Sequence, residues 1–158
     1  MSKLAPLDKA VARGVTKTGN TVTIWDSYNL AMSPVASFYM KHMAKLIDDG
    51  HAQQIFTGGN NSSAVYATLD SKVVGAIVYE IHASQRMGYI LLSCVDEEYR
   101  GQGIYTLLHP YFEEVVMAQG CNRIGSIVHV NNTVRQESCA KVGMVPEFIR
   151  MVKLLDYE

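Results

Sequence analysis

Apolar positions along this chain change their spacing several times, and each change marks an element. Thr21-Val22-Thr23-Ile24-Trp25 is a β-branched and aromatic run that predicts a first strand. Val35, Phe38, Tyr39, His42, Met43, Leu46 and Ile47 recur every three or four residues, as one buried helix face does. Ser33-Pro34 ahead of that face and Gly50 behind it bound a helix over Pro34–Asp49. The polar stretch Thr57–Ser63 reads as a loop. Two continuous apolar runs follow, Ala64–Leu69 and Val73–Ile81, joined by Asp70-Ser71-Lys72 as a hairpin. A third, Gly88–Val95, has the same character, and such runs suit central strands covered on both faces.

Beyond residue 103 the spacing becomes helical again. Leu107, Leu108, Tyr111, Phe112, Val115 and Val116 mark a helix ending near Gln119 and closed by Gly120, with Pro110 expected to interrupt it. Ile124–Val130 predicts a strand, Thr133–Lys141 a short helix before Gly143, and Phe148–Leu155 a last strand. The order is strand, helix, three antiparallel strands, then β-α-β, helix and strand. This predicts an α+β (mixed α/β layer) fold, with a mostly antiparallel central sheet, one parallel crossover and helices on both faces.

At 158 residues the chain suits one domain over 1–158, and no repeat or second domain is visible. Apolar residues make up 48% and charged ones 18%, a globular balance. A net charge of -1 without a basic patch disfavours nucleic acid as a partner. No apolar run reaches the roughly 20 residues that span a bilayer, and Met1–Pro6 lacks the apolar core of a secretory signal. Cys94, Cys121 and Cys139 match no zinc or disulfide pattern, so reduced thiols in a cytoplasmic protein are the simplest reading.

The stretch Leu91–Tyr105 carries the candidate chemistry. An apolar strand runs into a charged turn, then Gly101-Gln102-Gly103, then a helix. Such a junction turns unpaired N–H groups at the positive end of a helix dipole towards an anion such as phosphate. A dinucleotide fingerprint would need glycine where Thr106 stands, and a phosphate loop would need Gly-Lys-Ser/Thr.

Val95, then Tyr99-Arg100-Gly101, then Gly103 and Tyr105 resemble the phosphate motif Arg/Gln-x-x-Gly-x-Gly/Ala of the GNAT superfamily of N-acyltransferases. Tyr105 departs from its usual small residue. Asn132 and Gly143, eleven residues apart, keep the family's later spacing, with Met144 in place of an aromatic. The resemblance covers Val73 to Leu155. It implies acetyl-CoA as cosubstrate, held at its pyrophosphate by the amides of Gln102, Gly103, Ile104 and Tyr105. Gly101 and Gly103 would allow close approach and Arg100 would add charge. It also implies a bulged strand that splays from its parallel neighbour, so that backbone groups near Cys94 and Val95 bond the pantetheine. Asn132 would reach the cofactor from the next strand end, or simply cap the helix that follows.

The resemblance further implies direct attack of a primary amine on the thioester. Where the family often has a tyrosine acid, this chain has Cys139, whose thiol could donate a proton or be a buried structural group; Tyr105 or Tyr111 could supply a phenol instead. Glu80, sharing a strand face with His82, is the candidate base, with a solvated surface pair as the alternative. His42, His109 and His129 show no metal spacing, and no metal is implied. The acceptor is a small-molecule or peptide amine, met by parts between Met32 and Asp49, by Gly59-Asn60 and by Ile81–Gly88. Two other readings fit the departures: a CoA-binding sensor without turnover, and an interaction module whose terminal strand Phe148–Leu155 makes a homodimer edge.

Overall fold

The computed structural model describes residues 8–52 and 62–155. The loop expected over Thr57–Ser63 lies outside them up to residue 61. Among the described residues, six strands form one sheet in sequence order: β1 (Asp8–Val15), β2 (Thr21–Ser27), β3 (Ser62–Leu69), β4 (Lys72–His82), β5 (Met87–Val95) and β6 (Arg123–Ser126). Neighbours are antiparallel from β1 to β5, and β5–β6 is the parallel pair. The described residues also form three α-helices, α1 (Val35–Asp48), α2 (Ile104–Ala118) and α3 (Thr133–Lys141). This is the mixed α/β layer architecture that the apolar spacing predicts.

The continuous apolar runs serve two cores. Ile77 and Tyr79 of β4 face α2, joining Leu108, Phe112 and Val116, whereas Ala76 and Val78 face α1 with Phe38, Tyr39 and Met43. Two strand glycines bring α2 close to the sheet. A Cβ at Gly75 would lie 2.9 Å from Ile104, and one at Gly88 only 2.7 Å from Val116. Phe112 is wholly buried between helix and sheet, so truncating it to alanine costs about 3–5 kcal/mol. The β3–β4 turn is tight because Asp70 and Ser71 both take left-handed backbone (φ 49° and 66°), the geometry a two-residue hairpin requires.

Four expectations change. Strand β1 precedes the expected first strand; it is a half-exposed edge without a clean apolar alternation, so its sequence carries little signal. Pro110 does not break α2, because Pro110 and Thr106, whose carbonyl loses its partner, are both exposed, which leaves that carbonyl open to solvent. Strand Ile124–Val130 shrinks to Arg123–Ser126, leaving Ile127 and Val130 exposed. Phe148–Leu155 forms no strand: it runs exposed, and the segment is tied back through Glu147, whose carboxylate pairs with Arg123 at 2.7 Å. Strand propensity becomes a strand only where an edge offers hydrogen bonds.

Candidate active site

Strand β5 is where both candidate clusters meet. Val78 faces Leu92 and Tyr79 faces Ile90, so Leu91 is an extra residue, a bulge. Parallel pairing with β6 ends at Ile90↔Ser126. From Leu91 to Val95 the strand therefore has an open edge on that side among the described residues. A short 3-10 turn (Glu97–Tyr99) leads to Arg100, whose Nε donates to the Val95 carbonyl at 3.0 Å and braces the strand end.

Gly101 (φ 77°) and Gly103 (φ 86°) then take left-handed backbone, a region that strains other side chains. Gly103 is the N-cap of α2, and no side chain caps that end. The helix ladder begins with Leu107 N–H donating to Gly103 O, so the amides of Ile104, Tyr105 and Thr106 have no carbonyl behind them. The β1–β2 turn holds the loop from the side: Lys17 N–H donates to Gln102 O at 2.9 Å, and the Thr18 hydroxyl donates to the Gln102 side chain at 2.8 Å. What remains is a row of donors at the positive end of a 15-residue helix, arranged to take an anion.

On the α1 side of β5 the structure assembles a second cluster. Cys94 Sγ lies 3.1 Å from His42 Nδ1, and His42 Nε2 lies 2.9 Å from Asp96 Oδ1. Lys41 Nζ reaches the same carboxylate oxygen at 3.2 Å, and Lys72 Nζ approaches the other at 3.9 Å. His42 and Asp96 are buried; Cys94 keeps partial exposure. Burial lowers the His42 imidazole below its ordinary range, against the pull of Asp96. Burial also pushes the Cys94 thiol up, partly opposed by Arg100. For Asp96, burial acts upward, but the bonds from Lys41 and His42 outweigh it and hold the carboxyl below its usual range. A cavity of about 310 Å³ opens beside this cluster, with His42, Asp96, Lys41 and Arg100 in its wall.

A model of the acetyltransferase (GNAT) family matches residues 23–144, most of the chain, including β5, the glycine loop and α2. The chain belongs to the GNAT family. As a GNAT protein it is an acyltransferase by class. Solved structures share the fold at low identity. An aminoglycoside acetyltransferase from an uncultured soil metagenomic sample, in complex with trehalose, superposes with a TM-score of 0.65 at 13% identity, covering 85% of this chain and 97% of that one. A ribosomal-protein-alanine N-acetyltransferase from Brucella melitensis biovar Abortus 2308 gives 0.62 at 14%, covering 85% and 99%. An aminoglycoside N-acetyltransferase in complex with CoA gives 0.59 at 17%, covering 85% and 98%. No curated protein matches the chain in sequence.

The remaining candidates of this GNAT chain fall into two groups. Tyr105 leans away from the glycine loop towards α3, where Arg135 Nη1 donates to its hydroxyl at 3.2 Å and the guanidinium sits 5.7 Å from its ring centre. Asn132 caps α3, its Oδ1 accepting from Arg135 N–H at 3.2 Å. Cys139 is buried on the same helix. Separately, Glu80 pairs in register with Tyr89 and lies 3.4 Å from His82, whose ring stacks on Tyr89 at 4.9 Å. Glu80 shares the face of β4 that carries Ala76 and Val78 towards α1, and burial, then the Glu80 carboxylate, push Tyr39 of α1 up to about 12.

Sequence reasoning missed His42, Asp96 and Arg135. His42 reads as one more position of an apolar helix face, and 52 residues separate it from Cys94. No local spacing carries that pairing.

Proposed function

We propose that this GNAT chain moves an acetyl group from acetyl-CoA to a primary amine. The observation that carries it is the junction of an open strand edge, Leu91–Val95, with an uncapped helix start at Gly103. The amides of Gln102, Gly103, Ile104 and Tyr105 take the pyrophosphate, with Gly101 shaping the turn and Arg100 adding charge. Backbone groups at Cys94 and Val95 bond the pantetheine in place of a missing strand neighbour. An N–H of that edge polarises the thioester carbonyl, a contribution of about 3 kcal/mol in comparable sites. Asn132 contributes through its amide N–H₂, since its Oδ1 is engaged in the cap.

Direct attack by the amine needs a base and an acid. Glu80, beside His82, is the base for an acceptor lying between the α1 and β4–β5 segments; the Gly59-Asn60 part of that surface lies outside the described residues. Tyr105 and Cys139 are the groups able to return a proton to the departing thiolate. The neighbours named for aminoglycosides and for a ribosomal-protein alanine have acceptors of very different size, and both kinds are amines. An amine acceptor in solution is therefore the class proposed here. We extend the proposal to a homodimer through segment 145–155, whose Phe148, Ile149 and Met151 side chains are unburied. Light scattering of the chain with and without that segment tests it, a monomer in both ruling it out.

Calorimetric titration with acetyl-CoA and with CoA tests the donor. Micromolar binding, removed by Gly103→Asp in a folded protein, is the expected result, and absence of binding by the parent overturns the reading. Glu80→Gln tests the base: the rising limb of the pH–rate profile should disappear.

A further inference from the structure

We infer that Lys17, on the turn between β1 and β2, is a further donor-binding residue whose ammonium meets the pyrophosphate of acetyl-CoA at the start of α2. This rests on the proposed seating of the pyrophosphate on the glycine loop. It adds a cation from outside residues 23–144, the segment that matches the family.

The turn is built to hold its place. Thr16 is buried; its N–H donates to Asn20 O at 2.8 Å, and its hydroxyl accepts from Asn20 N–H at 3.1 Å. Gly19 takes left-handed backbone (φ 86°), and its N–H donates to Thr16 O at 3.0 Å. Thr18 Oγ1 accepts from Asn20 Nδ2 at 3.3 Å while donating to Gln102 Oε1 at 2.8 Å. Lys17 is pinned by its backbone, with N–H donating to Gln102 O at 2.9 Å. Its side chain is therefore not needed to hold the turn on the loop.

That side chain lies along the N-cap of α2. A Cβ at Gly103 would stand 3.6 Å from Lys17 Cε and 3.7 Å from its Cγ. The aliphatic stem thus runs beside Gly103 and brings Nζ, bonded to Cε, to the helix start. The amides of Ile104, Tyr105 and Thr106 already make that place positive, which is unfavourable for a free cation. Lys41 and Lys72 have the Asp96 carboxylate as partner, but Lys17 makes no ion pair among the described residues. Glu97 and Glu98, exposed on the preceding turn, line a pocket with Lys41 and Lys72 instead. Arg100, the loop's own cation, has its Nε engaged by the Val95 carbonyl. An ammonium and a helix start that face one space are stabilised together by one polyanion between them. A diphosphate fits this pair: the amides fix its oxygens, and lysine adds a point charge that needs no fixed direction.

Calorimetric titration of the full chain with acetyl-CoA and with 3′-dephospho-acetyl-CoA tests this. Lys17→Gln should weaken both by about tenfold. Lys17→Arg keeps the charge and should bind as the parent does. The deficit of Lys17→Gln should shrink as salt approaches about 1 M, where charges are screened beyond roughly 3 Å. Its urea unfolding should match the parent, because the N–H bond to Gln102 remains and the exposed ammonium has no partner to lose. Lys141→Gln, which removes an exposed charge at the end of α3, should leave affinity unchanged. Parent-like affinity in Lys17→Gln, with binding still lost in Gly103→Asp, overturns this inference alone. An equal loss in Lys141→Gln overturns it too, as an effect of net charge. A deficit with acetyl-CoA but not with the 3′-dephospho donor assigns the contact to the 3′-phosphate and overturns the pyrophosphate placement. Failure of the parent to bind acetyl-CoA overturns this inference together with the donor reading beneath it.

Discussion

The two ends of the open stretch of β5 are built from different materials. At Gly101–Tyr105 the working groups are backbone amides, placed by two left-handed glycines and a helix start contiguous in the chain. At Cys94 they are side chains from separate elements, 52 and 54 residues apart, brought together by packing α1 on the sheet. A backbone site tolerates exchange of most side chains but not a change of conformation. A side-chain site tolerates small backbone change but not the loss of a single group.

The largest expected effect separates the two ends at once. Gly103→Asp places a carboxylate and a Cβ at a left-handed N-cap that faces phosphate, and should remove acetyl-CoA binding by calorimetry while circular dichroism stays native. Asp96→Asn breaks the other end alone. The buried ring of His42 loses its charged partner, so the fold should lose about 1–3 kcal/mol in urea unfolding while acetyl-CoA affinity holds. Equal loss of binding in both variants would merge the two regions into one.

Acid stability sharpens the contrast, since the side-chain end carries His42 and Asp96, with His109 of α2 titrating in the same sense. His42 and His109 are held below their ordinary value by burial, so the unfolded chain binds protons more readily as pH falls through about 6.5. Stability is therefore full above that pH and declines below it. Asp96, held low by Lys41 and His42 despite its burial, adds stability above about pH 3.9 that is lost on further acidification. Urea unfolding across this range should show stability rising with pH, with a shallower rise at the acid end in Asp96→Asn. The smallest effect is expected at α3: Asn132→Ala removes a cap, costing about 1 kcal/mol in thermal or urea unfolding.

Much of this was legible beforehand. Helix α3 matches its expected span, α1 is one residue shorter at each end, and β3–β5 each extend one or two residues at an end. The glycine turn could be read because a phosphate-ready helix start is a local device, written in consecutive residues. Tyr105 departs from the motif's small residue, and its bond to Arg135 shows how the larger side chain is accommodated. The last strand was over-read for a different reason. Phe148–Leu155 has strand-like residues, but a strand also needs a partner, and partnership is not a property of a segment.

The sequence by itself determined the α/β layering, the order of elements and the backbone anion site, because periodicity and left-handed glycines act over a few residues. Only the tertiary structure decided that the open edge of β5 begins at a bulge at Leu91. It also decided that the imidazole of an apolar helix face would stand between Cys94 and Asp96. Those outcomes depend on how α1 seats on the sheet, and a helix face that buries His42 among apolar neighbours does not specify which strand residue will lie opposite it.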